Sequence, residues 1–181
     1  SLLTHKGMKI DLGYITEMQA AGYYDLSTEQ RIAMKSQNIT AAYVKSFEAV
    51  GLSKIPASDL LAMKSLDITP AFIKSFADFG FVDLDPSLWV SLKSLGVTPE
   101  YIKELQEMGY KQVGIDNVLA AKSNGVNAAY LKQFEDAGYK VPALSELIMM
   151  KSQNLTMELI RNYSQLGFSE DIPLMVMANE M

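Results

Sequence analysis

The chain has 181 residues, 16 basic and 21 acidic for a formal charge of −5, with no cysteine and one histidine, His5. That inventory excludes disulfide frameworks, zinc ribbons, iron–sulfur clusters and cysteine nucleophiles, and leaves no multi-histidine metal site and no ordinary Ser-His-Asp triad unless His5 serves. The negative charge opposes a nucleic-acid footprint, and no run of 18 apolar residues is present to cross a bilayer.

A single spacing organises everything else. Gly22-Tyr23, Gly51-Leu52, Gly80-Phe81, Gly109-Tyr110, Gly138-Tyr139 and Gly167-Phe168 follow one another at a constant interval. Lys6, Lys35, Lys64, Lys93, Lys122 and Lys151 keep the same step, followed by Ser in every copy except the first, which has Gly7. Six copies without an insertion define a tandem repeat, and a period of this length is the mark of a solenoid or array.

Each copy predicts two short helices. In the third full first helix, Asp85 is expected to cap Pro86, which sits where the missing N–H costs nothing, and Trp89, Val90, Leu92 and Leu95 form the apolar stripe. That helix stops at Gly96, whose equivalents Asn38, Asp67, Gly125 and Asn154 tolerate a left-handed cap; Lys9 is the misfit. An apolar residue follows in every copy: Ile10, Ile39, Ile68, Val97, Val126 and Leu155. Thr40, Thr69, Thr98 and Thr156, with Asn127 and Asp11, then cap the second helix, and Pro70 and Pro99 occupy its first position. Its apolar residues recur as in Tyr101, Ile102, Leu105 and Met108, and it runs to the repeating Gly.

A turn of about two residues makes each copy an antiparallel helical hairpin. Helices of roughly 11 residues or fewer are too short to stand alone in water, so each hairpin needs its neighbours. The recurring Ser36, Ser65, Ser94, Ser123 and Ser152, and the small residues Ala33, Ala62 and Ala120 three positions before (Ser91 and Met149 in the other copies), are expected on the side where first helices approach. The expected fold is all-α, a single α-solenoid domain over residues 1–181 built from about six 29-residue helix-turn-helix units. Leu2-Leu3 aligns with Leu60-Leu61, and Val176-Met177-Ala178 with Leu60-Leu61-Ala62, so both ends are expected to cut a repeat, as in a fragment of a longer protein.

The run Leu95-Gly96-Val97-Thr98-Pro99-Glu100-Tyr101-Ile102-Lys103-Glu104-Leu105, with Gly109-Tyr110, resembles 29-residue repeats that follow the membrane-embedded peptidase part of bacterial proteins related to the beta-lactam sensor M56-type metallopeptidases. The likeness spans nearly the whole chain but concerns structural positions only. The His-Glu-x-x-His peptidase motif is absent, so no catalytic residue carries over. The resemblance implies a sensory or scaffolding array on a membrane-anchored protein, in an extracytoplasmic or cytoplasmic setting, with no insertion of this segment itself into the membrane.

Three features are candidates for binding. Lys35, Lys64, Lys93, Lys122 and Lys151 form a ladder that would suit an acidic peptide or polymer; alternatively each is a cation in the last turn of a helix, where the dipole contributes about 0.3–1 kcal/mol. The aromatic positions Tyr14, Tyr43, Phe72, Tyr101 and Tyr130 read as a stacking platform or as core with phenol oxygens at the surface. Leu88 and Leu95, polar in other copies, join Leu66 and Trp89 as a mid-array apolar patch for a partner, or as a locally wider core. A second basic row, Lys45, Lys74, Lys103, Lys132 and Arg161, lies among acids and reads as a solvated face.

A helix-hairpin-helix DNA reader is disfavoured because its second turn glycine is missing from every copy. No acid or histidine cluster suggests an enzyme, a metal or a cofactor. The expected function is a non-enzymatic repeat scaffold that binds a peptide or protein, the alternative being a structural spacer with no ligand of its own.

Overall fold

The computed structural model describes residues 12–165, which are all-helical, with eleven α-helices, two 3₁₀ segments and no strand among them. His5, Lys6, Lys9, Asp11, Gly167, Leu2-Leu3 and Val176-Met177-Ala178 lie outside the described residues. The chain divides into two compact units between Gly96 and Val97, inside what the period marks as one hairpin.

The first unit holds α1 (Leu12–Ala20), α2 (Thr28–Ser36), α3 (Ala41–Ser46), α4 (Ala57–Ser65), α5 (Pro70–Lys74) and α6 (Pro86–Ser94). Helices two apart in sequence lie side by side: α2 beside α4, α4 beside α6, and α1 beside α3. Met34, Leu60, Met63, Trp89 and Leu92 are fully buried, and from the second helices Phe47 and Phe76 join them. The second unit holds α7 (Pro99–Glu107), α8 (Ile115–Ser123), α9 (Ala128–Asp136), α10 (Leu144–Ser152) and α11 (Met157–Gln165), with α8 beside α10. Leu105, Val118, Ala121, Phe134, Leu147 and Met150 are its fully buried centre. Burying such side chains contributes about 1.5–3 kcal/mol each, which is what helices of nine residues or fewer need.

Local signals are followed closely. Asn38, Asp67, Gly96, Gly125 and Asn154 all have positive φ, between 52° and 69°. At four of them the next apolar N–H reaches back five residues, as in Ile68 to Met63 at 2.8 Å and Leu155 to Met150 at 2.8 Å. The side chains of Thr40, Thr69, Thr98, Asn127 and Thr156 each accept the N–H three residues on, at 2.8–3.3 Å. Gly22, Gly51, Gly80, Gly109 and Gly138 end the second helical segments with φ from 81° to 103°.

Four expectations need correction. Asp85 stands at the cap position of α6, but its side chain accepts no cap hydrogen bond. Among the described first helices only Ser27 caps with its side chain, exchanging bonds with Gln30. Ser36, Ser65, Ser94, Ser123 and Ser152 are exposed rather than packed between first helices, although the Ser65 hydroxyl also donates to Gln37 Oε1 of the preceding copy at 3.4 Å. Four of their hydroxyls donate instead to a carbonyl three or four residues back. Lys54 and Asp83, in the linkers, also adopt positive φ (55° and 54°), unforeseen because neither residue stands at a repeating Gly or Asn.

The fourth correction concerns helix continuity. Two second helices do not run unbroken to their glycine: α3 gives way to a 3₁₀ segment at Phe47–Val50, and α5 is followed by another at Ala77–Phe79. Ser46 and Ser75 explain the break. Their hydroxyls donate at 2.6 Å to the carbonyls of Tyr43 and Phe72, three residues back, and compete with the α-helical ladder. In α1 and α7 the same register holds Glu17 and Glu104, and those helices are α-helical over nine residues.

Candidate partner-binding surface

The lysine ladder and the aromatic row are one feature. Each lysine ends a first helix, as expected from the helix dipole, and each ammonium lies over the ring of the preceding second helix. The nitrogen-to-centroid distances are 5.4 Å for Lys35 on Tyr14, 4.5 Å for Lys64 on Tyr43 and 4.7 Å for Lys93 on Phe72. In the second unit Lys122 lies 4.4 Å from Tyr101 and Lys151 4.3 Å from Tyr130. A cation within about 6 Å of a ring face gains about 0.5–1 kcal/mol when exposed and more when desolvated. All five ammonium-bearing side chains are half-buried by this arrangement.

The phenol oxygens point onward to the following turn. Tyr14 donates to the Ile39 carbonyl at 3.0 Å, Tyr43 to Ile68 at 3.3 Å, Tyr101 to Val126 at 2.9 Å and Tyr130 to Leu155 at 2.7 Å. Ring, cation and hydroxyl therefore form a latch between consecutive copies. Burial pushes the phenols of Tyr43, Tyr101 and Tyr130 up to about 12. A stacking platform would present open ring faces; these are covered by lysines.

Two further latches have no counterpart in the sequence reading. Tyr23 donates to the Ile55 carbonyl at 2.5 Å and Tyr110 to that of Pro142 at 2.9 Å, each from one linker to the next. Glu17 accepts the Ala41 N–H and Glu104 the Ala128 N–H, both at 2.8 Å, closing the first turn of the next second helix. The signal was present in the sequence. The interval that leads from Glu17 to Ala41 and from Glu104 to Ala128 leads from Ser46 to Pro70 and from Ser75 to Pro99, and proline has no N–H to give.

The apolar patch comes apart. Trp89 is fully buried, so it is core and not a surface anchor. It meets Phe76 and Phe72 edge-on, with centroids 5.7 Å and 6.4 Å apart. Leu60, Val118 and Leu147 at the same register are buried likewise, with Arg31 half-buried in the earlier copy, which is why the stripe carries Trp89 inward. The indole Nε1 has no hydrogen-bond partner, a cost of about 1–3 kcal/mol set against the area the ring buries. Leu66 and Leu88 are half-buried, and Leu95 is 39% exposed. What remains is three partly exposed leucines, Leu88 on α6 and Leu66 and Leu95 at the C-caps of α4 and α6.

On the second basic row, Lys103 lies 3.7 Å from Glu107 and Lys132 2.7 Å from Asp136, all exposed, so this row is a solvated face as expected. Two grooves open at the linker edge of the first unit. One, of about 520 Å³, is lined by Tyr23, Tyr24, Asp25, Lys54, Ile55 and Pro56 among others. A smaller one, of about 230 Å³, includes Ile73, Lys74, Phe81 and Val82. Among the described residues no three acids or histidines gather as for a metal ion, and no helix is long and apolar enough to cross a membrane.

No family model, no curated protein and no solved structure matches this chain.

Proposed function

We propose that the chain is an α-solenoid of about six hairpins and a non-enzymatic scaffold for a protein or peptide partner. The observation that carries this reading is a division of labour along the sequence. Positions that repeat are spent between copies: Lys on ring, phenol on turn carbonyl. Positions that vary, above all Leu88 and the shared register of Leu66 and Leu95, where other copies carry Gln, Asn, Asp or Glu, are half-buried or exposed. Partner energy in such interfaces concentrates in a few apolar anchors, which makes Leu95 and Leu88 the residues to alter. The resemblance to repeats beside M56-type peptidases adds a bacterial, membrane-anchored sensor as the parent setting.

A structural spacer is the second reading, favoured by the burial of Trp89 and the covering of every ladder ring by a lysine. The experiment is capture by the immobilised chain compared with Leu88→Asp/Leu95→Asp. Partners held by the native chain and lost by the double variant support the scaffold; no partner, or the same set from both, supports the spacer.

A further inference from the structure

One dipeptide sets α8 apart from the other first helices. Asn124-Gly125 is the single Asn-Gly pair in the sequence; the other asparagines precede Ile39, Val118, Ala128, Leu155, Tyr163 and Glu180. At the register of Asn124, other copies carry Gln37, Leu66, Leu95 and Gln153. Asparagine before glycine is the pair in which a main-chain nitrogen closes most readily on the preceding side-chain amide, because no Cβ hinders the attacking residue. A glutamine would have to close a larger ring, which is slower, and a leucine has no amide to attack.

The fold holds this pair in an unreactive shape. Asn124 is the C-cap of α8, with φ −88° and ψ 0°. That ψ eclipses the Gly125 nitrogen with the Asn124 nitrogen, whereas ring closure requires it to eclipse Cβ. The Gly125 N–H is given to the Lys122 carbonyl at 3.1 Å, and Asn124 Nδ2 donates to the Ala120 carbonyl at 2.8 Å. The nucleophile and the group that must leave are both tied to α8. Gly125 is exposed and Asn124 half-buried, so water reaches the pair once the cap opens. A latch lies next door: Val126 sends its N–H back to the Ala121 carbonyl at 2.9 Å and takes the Tyr101 phenol on its own carbonyl at 2.9 Å.

We propose that Asn124-Gly125 is a deamidation site gated by the cap of α8, which reacts when that cap opens and whose isoaspartyl product keeps the Tyr101 latch from re-forming. The Gly125 nitrogen, having lost its proton to hydroxide, attacks Asn124 Cγ. The N–Cγ bond forms, the Cγ–Nδ2 bond breaks, and the amide nitrogen takes a proton from water and leaves as ammonia. Water then opens the succinimide. Addition at Cγ returns aspartate; addition at the former main-chain carbonyl gives isoaspartate, whose backbone runs through Cβ and Cγ. One water is consumed and one ammonia released, with no change of oxidation state. The extra main-chain carbon between α8 and Val126 breaks the spacing on which the Ala121 and Tyr101 bonds depend, and either product places a carboxylate at the negative end of the helix. Opening of one cap is a local event that folded chains undergo without unfolding throughout. The reaction needs no partner, so it is tested apart from the scaffold reading.

The test incubates the whole chain in mildly alkaline buffer with and without urea, and follows its proteolytic peptides by mass spectrometry after chromatography that separates aspartyl from isoaspartyl forms. Conversion is expected at Asn124 ahead of every other asparagine, and about tenfold or more slower in buffer than in urea. Conversion that begins elsewhere overturns the site, and equal rates in the two solvents overturn the gate. Tyr101→Phe frees the Val126 carbonyl without touching residues 124 or 125, and is expected to quicken conversion in buffer more than Tyr130→Phe, whose latch ends at Leu155. Equal acceleration by both, or none by Tyr101→Phe, overturns the role of the α8 cap. Asn124→Gln, the residue that two other copies carry, is expected to fold and to remain unconverted. It should also keep its urea midpoint through an incubation long enough to convert the native chain and lower that chain's midpoint; the same change in both chains overturns the consequence for the latch.

Discussion

The Lys122 ammonium stands 4.4 Å from the centroid of the Tyr101 ring, although the two residues belong to different helices, α8 and α7. The same phenol donates to the Val126 carbonyl at 2.9 Å, so one side chain takes two partners from the copy that follows. Tyr101→Phe leaves a buried carbonyl without its donor and is expected to cost about 1–3 kcal/mol. Lys122→Ala is expected to cost about 0.5–1 kcal/mol, and a double-mutant cycle of Lys122→Ala with Tyr101→Leu to return a coupling of about the same size. Urea denaturation measures both; additive effects would refute the latch.

Glu104 and Ser46 occupy one register and are expected to respond in opposite directions. Glu104→Ala removes the acceptor for the Ala128 N–H and should destabilise by about 0.5–2 kcal/mol, as the loss of a helix cap does. Ser46→Ala removes the hydroxyl that bonds to Tyr43 and competes with the α-helix, so it should be neutral or stabilise by up to about 0.5 kcal/mol. Ellipticity at the helical minimum in the far ultraviolet should deepen in the Ser46 variant as the α-helix extends.

Two backbone positions test the left-handed conformation from opposite sides. Gly80 has φ of 81° with open space where a Cβ would stand, so Gly80→Val is a test of backbone conformation alone and should cost about 1–2 kcal/mol. Lys54 has φ of 55°, and Lys54→Gly should stabilise by about 0.5–1 kcal/mol by relieving it. An unchanged thermal midpoint in either variant would contradict the assignment.

Alkali should undo the latches. Burial raises Tyr23, Tyr43, Tyr101, Tyr110 and Tyr130 to about 12, so the folded chain holds their protons where the unfolded chain, near 10, releases them. The stabilisation is complete below about pH 10 and is lost as pH rises towards about 12, because there the unfolded state binds fewer protons. Unfolding midpoints measured across that window should fall, and Tyr101→Phe should reduce the slope.

Much of the fold is legible without coordinates, because its signals are local. A Gly, Asn or Asp after an apolar stripe, with Thr or Asn two residues later, specifies a cap pair within five residues, and Asn38–Thr40 through Asn154–Thr156 adopt it. The candidate site is less legible, because its partners stand most of a repeat apart and neither row by itself points at the other. That the lysine and aromatic rows keep the same period is the available clue that they meet. Trp89 misleads for a related reason: its size suggests an anchor, while its register, shared with Leu60, Val118 and Leu147, marks it as interior.

Every phenol in the ladder ends on a main-chain oxygen, a group that each copy owns whatever side chains it carries. Matching one unit to another therefore asks nothing of the acceptor's identity. A segment one period long that begins with such a tyrosine brings its own donor, and any residue at the receiving turn supplies the acceptor, so this bond places no demand on the side chains the next copy carries.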